Sequence, residues 1–151
     1  MISVETNNVL TPDDHTMTAQ GKWVLIGLFL LPVTACLGVA ISGANGVWNP
    51  YSATYVTVFG MNLVVTAVGS VISWLLLRRA QGNLARWVAA LPTLGPAIYG
   101  AFWYLGRALF PAEVAPGAEY LAAPQYLIIA VLGLAVLVLL LRITGLVSRT
   151  A

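Results

Sequence analysis

Five residues have the types and spacing to handle a polar group inside an apolar medium. Asn62, Thr66, Gly69, Ser70 and Ser73 are separated by four, three, one and three positions, which places them on one helical stripe. An amide and three hydroxyls on one face could line a path for a neutral solute or a cofactor pocket. They could equally hydrogen-bond to a packed helix, each pair contributing about 0.6 kcal/mol. Helix packing is the commoner use of such residues. Asn62 makes the strongest demand, because an amide in hydrocarbon needs partners.

Other reactive residues are sparse. His15 is the only histidine and sits in a polar stretch beside Asp13 and Asp14, where it reads as a solvated residue; a metal site needs several ligands. Cys36 and Met61 are isolated sulfur groups and make no metal site. One cysteine excludes an intrachain disulfide and dithiol redox chemistry. With no histidine in any apolar run, bis-histidine haem and histidine-bound chlorophyll are not expected. No nucleophile–base–acid set can be assembled, and no Gly-rich phosphate loop ends in Lys-Ser or Lys-Thr. These residues imply no catalytic site, no metal and no cofactor of the chain's own. A lipid or quinone could still lie between helices near Trp103, Tyr104 and Tyr126.

The elements that must position these residues follow from composition. The chain has 151 residues, 60% hydrophobic and 8% charged, whereas a soluble domain carries roughly 25% charged residues. The apolar residues fall in four blocks near the ~20 residues that cross a bilayer. The expected fold is an all-α integral membrane protein with four transmembrane helices as two hairpins. Spans are expected at about 23–42, 54–77, 87–106 and 125–146, within one domain covering 22–151. A polar tail occupies 1–21. There, Thr11-Pro12-Asp13-Asp14 has the form of a helix start, so a short interfacial helix and a disordered tail both remain open. Its acids and lack of Lys or Arg are the opposite of a signal-peptide start.

Charge sets the expected orientation. The stretch Arg78-Arg79-Ala80-Gln81-Gly82-Asn83-Leu84-Ala85-Arg86 is the densest basic segment, with Gly82-Asn83 as its expected bend. Placing it in the cytoplasm puts Lys22, Arg78, Arg79, Arg86, Arg142 and Arg149 inside and only Arg107 outside, as the positive-inside rule requires. Both termini are then cytoplasmic. The high Arg-to-Lys ratio and abundant Ala, Gly, Leu and Val point to a GC-rich bacterial genome and a bacterial plasma (inner) membrane.

Two faces invite close helix approach. In span one, Pro32 interrupts the helix, and Thr34, Gly38 and Ser42 recur every four residues. In span three, Pro92, Pro96 and Gly100 do the same. Small residues at this spacing let helices meet closely, and proline breaks must face protein rather than lipid. Trp48, Tyr51, Tyr55, Trp103 and Tyr104 read as an outer aromatic belt. The stretch from Arg107 to Pro124 reads as the longest loop, broken by Phe110-Pro111, Ala115-Pro116-Gly117 and Pro124. Span four is nearly all Leu, Val, Ile and Ala and is expected to face lipid, with Arg142 snorkelling at its inner end.

A shift of 64 residues aligns the halves without a gap. Lys22-Trp23-Val24 meets Arg86-Trp87-Val88, Pro32 meets Pro96, Gly69 meets Gly133, and Leu75-Leu76-Leu77-Arg78 meets Leu139-Leu140-Leu141-Arg142. A true duplication predicts two hairpins related by a pseudo-twofold axis along the membrane normal.

The leading functional expectation is a non-catalytic accessory or structural subunit of a larger membrane complex, respiratory or transport, with membrane lipids and other integral membrane subunits as partners. The alternative is a homo-oligomeric channel or carrier for a neutral or lipophilic molecule. An enzyme acting on a lipid or quinone ranks last. No Asp, Glu, Lys, Arg or His falls at mid-membrane depth, which argues against a proton-coupled pump. The +2 net charge gives no nucleic-acid signature.

Overall fold

The computed structural model describes residues 18–111, 113 and 117–146. These form four helices, α1 (Ala19–Ala44), α2 (Ser52–Arg78), α3 (Asn83–Leu109) and α4 (Ala118–Ile143), and no strand occurs among them. All four are long and apolar enough to cross a membrane. The proposed tail helix from Pro12, His15, the Ala115-Pro116 break and Arg149 lie outside the described residues.

The helices are longer than the apolar runs. α1 begins where the Thr18 hydroxyl accepts from the Gly21 amide at 3.2 Å, an N-cap of the kind that contributes about 1 kcal/mol. The basic stretch is mostly helical. Its turn is only 79–82, and Gly82 takes φ +84, a conformation that favours glycine. Asn83 is not a bend residue; it starts α3 and accepts from Gln20 Nε2 at 2.8 Å, tying the starts of α1 and α3 together. The largest departure is after α3. That helix runs through Arg107 to Leu109, and α4 starts at Ala118, so Pro124 is a helix residue and not a loop breaker.

Packing is not twofold. α2 and α3 each touch every other helix, while α1 and α4 lie on opposite sides of that pair and barely touch. The helix starts and ends do repeat at 64 residues to within two positions. A twofold arrangement would nevertheless pair α1 with α4 as α2 pairs with α3, and it does not.

The most extensive contact is between α1 and α3. α1 buries Val24, Gly27, Leu31, Ala35, Gly38 and Ser42, in steps of three or four residues along one seam. A Cβ on Gly38 would lie 2.9 Å from the Tyr104 carbonyl oxygen. Thr34 is off this seam; it is half-buried and donates back to Leu30 and Leu31 carbonyls of its own helix. α4 is the least buried helix, and residues such as Ile129, Val136 and Ile143 face outward.

Gly69 and Gly60 offer a direct test of this packing. A Cβ on Gly69 would lie 2.8 Å from the Pro92 carbonyl oxygen, whereas Gly60 has nothing within 4 Å. Gly69→Ala is expected to lower stability by about 1–3 kcal/mol through overpacking. Gly60→Ala should be neutral or stabilising by up to ~1 kcal/mol. Unfolding of each purified variant in mixed micelles by SDS titration measures the difference; equal stabilities would contradict the close approach.

Candidate functional site

The polar stripe of α2 lies at the centre of the bundle and is occupied by structural bonds. Proline explains why. It has no N–H, so the carbonyl four residues earlier loses its donor. Pro32 in α1 leaves Leu28 in that position, and the Thr66 hydroxyl of α2 donates to the Leu28 oxygen at 2.8 Å. Pro124 in α4 leaves Tyr120, and the Tyr104 hydroxyl of α3 lies 3.3 Å from the Tyr120 oxygen. Pro96 in α3 leaves Pro92, and that carbonyl is packed against the bare Cα of Gly69. A Cα–H is a weak donor, worth about 0.5–1 kcal/mol.

Asn62 completes the second repair. Its side-chain nitrogen donates to the Val58 oxygen at 2.8 Å and to the Tyr104 hydroxyl at 2.9 Å. The phenol has one proton and two acceptors in reach, the Asn62 Oδ1 at 3.2 Å and the Tyr120 carbonyl at 3.3 Å. Asn62, Thr66 and Tyr104 are essentially sealed from solvent. Further along the stripe, the Ser73 hydroxyl accepts from Thr93 at 2.9 Å. Ser70 is half-buried, and its oxygen has no hydrogen-bond partner among the described residues. The stripe residues therefore meet α1 and α3 side by side, and Pro32, Pro92, Pro96 and Gly100 are buried against neighbouring helices.

The far end of the bundle is closed by an aromatic cluster, not by a belt. Trp48 stacks on Tyr120 with ring centroids 5.9 Å apart, and Tyr104 lies 5.7 Å from Tyr120. Gly117, at φ +97, admits the Trp48 ring where a Cβ would sit 2.5 Å from it. Tyr104 and Tyr120 are core residues. Of the expected belt, Tyr51 is exposed, and Tyr55 and Trp103 are half-buried.

The opposite end gathers Lys22, Arg78, Arg79, Arg86 and Arg142. The Arg78 guanidinium lies over the Trp74 ring at 3.4 Å. Arg142 does more than snorkel: it donates to the Leu76 carbonyl at 2.6 Å, a cation on the last turn of α2, where the helix dipole favours positive charge.

One concave site opens sideways between α3 and α4. Tyr99, Gly100, Trp103, Glu119, Ala122, Ala123, Tyr126 and Leu127 line a cleft of about 230 Å³. Trp103 and Tyr126 line this cleft, whereas Tyr104 is turned into the core. Tyr99 and Glu119 were not anticipated. Position 119 falls in the stretch that reads as a loop when Pro124 ends it; in the structure it lies in the first turn of α4. Among the described residues, no group of three or more His, Cys, Asp or Glu is placed to hold a metal. No protein family model, curated protein or solved structure matches the chain.

The proline repair predicts a specific coupling. Thr66→Val should cost about 1 kcal/mol in the native background by stranding the Leu28 carbonyl. In a Pro32→Ala background, the new N–H supplies that carbonyl, and the same change should cost close to nothing. SDS unfolding of the four proteins forms the cycle. Additive losses would show that Thr66 does not act on the Pro32 break.

Proposed function

We propose that the protein is a non-catalytic structural subunit of a larger membrane assembly, such as a respiratory or transport complex, and that it acts by helix packing. The carrying observation is the placement of its mid-helix glycines. Glycine costs a helix about 0.8–1.0 kcal/mol relative to alanine. Gly27, Gly38, Gly69 and Gly100 each have a neighbouring helix where a Cβ would go. Gly60 in α2 and Gly133 in α4 have nothing within 4 Å. They sit in outward notches, Gly60 between exposed Val56 and Val64, Gly133 between exposed Ile129 and Leu137. A helix of another subunit seated there would account for glycine at both positions, since small residues let membrane helices approach closely.

The proposed setting is a bacterial plasma membrane with both termini cytoplasmic. The gathering of cations at one end of the bundle supports that orientation through the positive-inside rule. The alternative of a homo-oligomeric channel or carrier would need its pathway between chains. Within one chain, Asn62, Thr66 and Ser73 are buried against α1 and α3.

The test is native extraction in mild detergent through a C-terminal tag. The expected result is co-purification of larger membrane subunits, lost or sharply reduced in Gly60→Leu or Gly133→Leu. The isolated variants should unfold like the native chain. Recovery of the chain alone, as monomer or homo-oligomer, would overturn the reading.

A further inference from the structure

We infer that the lateral cleft between α3 and α4 is a binding site for a lipophilic ammonium ion. Three aromatic rings frame it. Tyr99 and Trp103 stand one turn apart on α3, and Tyr126 faces them from α4. Tyr99 and Tyr126 are 66% and 72% exposed, so their ring surfaces are open to a ligand. The remaining wall includes the small residues Gly100, Ala122 and Ala123, which leaves the space between the rings unfilled. Aromatic faces are negative and attract cations, quaternary ammonium groups among them.

Glu119 supplies the charge. It lines the same cleft, and its Oε1 is enclosed with no hydrogen-bond partner among the described residues. An acid in the first turn of α4 is favoured by the helix dipole wherever it points. That accounts for an acid at 119 but not for an oxygen shut away from donors, which is costly. Arg107, the nearby cation, is set over the Trp103 ring at 5.9 Å and forms no ion pair with Glu119. An ammonium between the rings would meet the carboxylate and the π faces at once. A neutral quinone would leave the carboxylate without a counter-charge, and an anion would be repelled. The cleft opens at the side of an apolar bundle, so the alkyl chain of the ligand can pass out between Tyr99 and Tyr126. Two sources share this chemistry: the amine headgroup of a phospholipid, with its phosphate towards Arg107, and a free amphiphilic amine.

The experiment uses the full chain in nanodiscs of phosphatidylglycerol alone, titrated with dodecyltrimethylammonium and followed by calorimetry. Saturable binding is expected, weakened about tenfold or more in Glu119→Gln and several-fold in Tyr126→Leu, with dodecyl maltoside failing to compete. Tyr126 is largely exposed, so its replacement leaves the fold intact and decides the matter if Glu119→Gln is unstable. Equal binding by the native chain and both variants, or displacement by the neutral maltoside, would overturn the inference. Adding phosphatidylethanolamine to the discs separates the sources. Displacement of the probe identifies a lipid headgroup site; undiminished probe binding identifies a site for free lipophilic ammonium.

Discussion

A carbonyl that has lost its donor cannot be left in an apolar medium, and this requirement organises the bundle. Each helix-interior proline removes one N–H. In water the stranded oxygen would be solvated; between packed apolar helices it must be met by protein. Three of the four helix-interior prolines show such a contact: Thr66 meets Leu28, Tyr104 meets Tyr120, and the bare Cα of Gly69 lets the Pro92 carbonyl approach. These contacts fix α1, α3 and α4 in register through particular atoms rather than through apolar surface alone. Leu, Val and Ile side chains slide past one another at little cost, whereas a stranded carbonyl accepts only from a donor within reach.

The same requirement explains why α2 and α3 are central. α2 carries the donor for α1 and the notch for α3. α3 carries the phenol for α4. The two outer helices need not touch, and they scarcely do. The 64-residue period survives in helix lengths and in the pairing of basic ends, but the repairs are different in kind. Thr66 serves Pro32, whereas the residue one period later, Ala130, has no hydroxyl. The α2–α3 contact has no counterpart between α4 and α1, so the hairpins do not pack by a twofold axis.

Polar residues inside an apolar chain often signal transport or catalysis. Here Asn62, Thr66 and Ser73 are hydrogen-bonded within the bundle, Thr66 to a carbonyl stranded by proline. The outer surface has two features that its own packing does not explain: the outward glycines of α2 and α4, and the cleft holding a shielded carboxylate among three aromatic rings. The first is the geometry of a helix contact; the second has the composition of a cation site. They lie on different parts of the molecule.

Composition and spacing alone determined that the chain has four long apolar helices, that Lys22, Arg78, Arg79, Arg86 and Arg142 gather at one end, and that Asn62, Thr66, Gly69 and Ser73 share a face. These are local properties, set by hydropathy and the helical period. Pro32 was legible as a break needing a neighbour, because the missing N–H is covalent fact. Pro124 reads locally as a loop residue, since a proline stops a helix unless something else meets the stranded carbonyl. That something is Tyr104, twenty positions earlier in the chain, and no local pattern links the two. The cleft was missed in part for the same reason, as Glu119 joins α4 only if Pro124 is inside it. Which donor reaches which carbonyl depends on how helices sit beside one another, so only the tertiary structure could decide it.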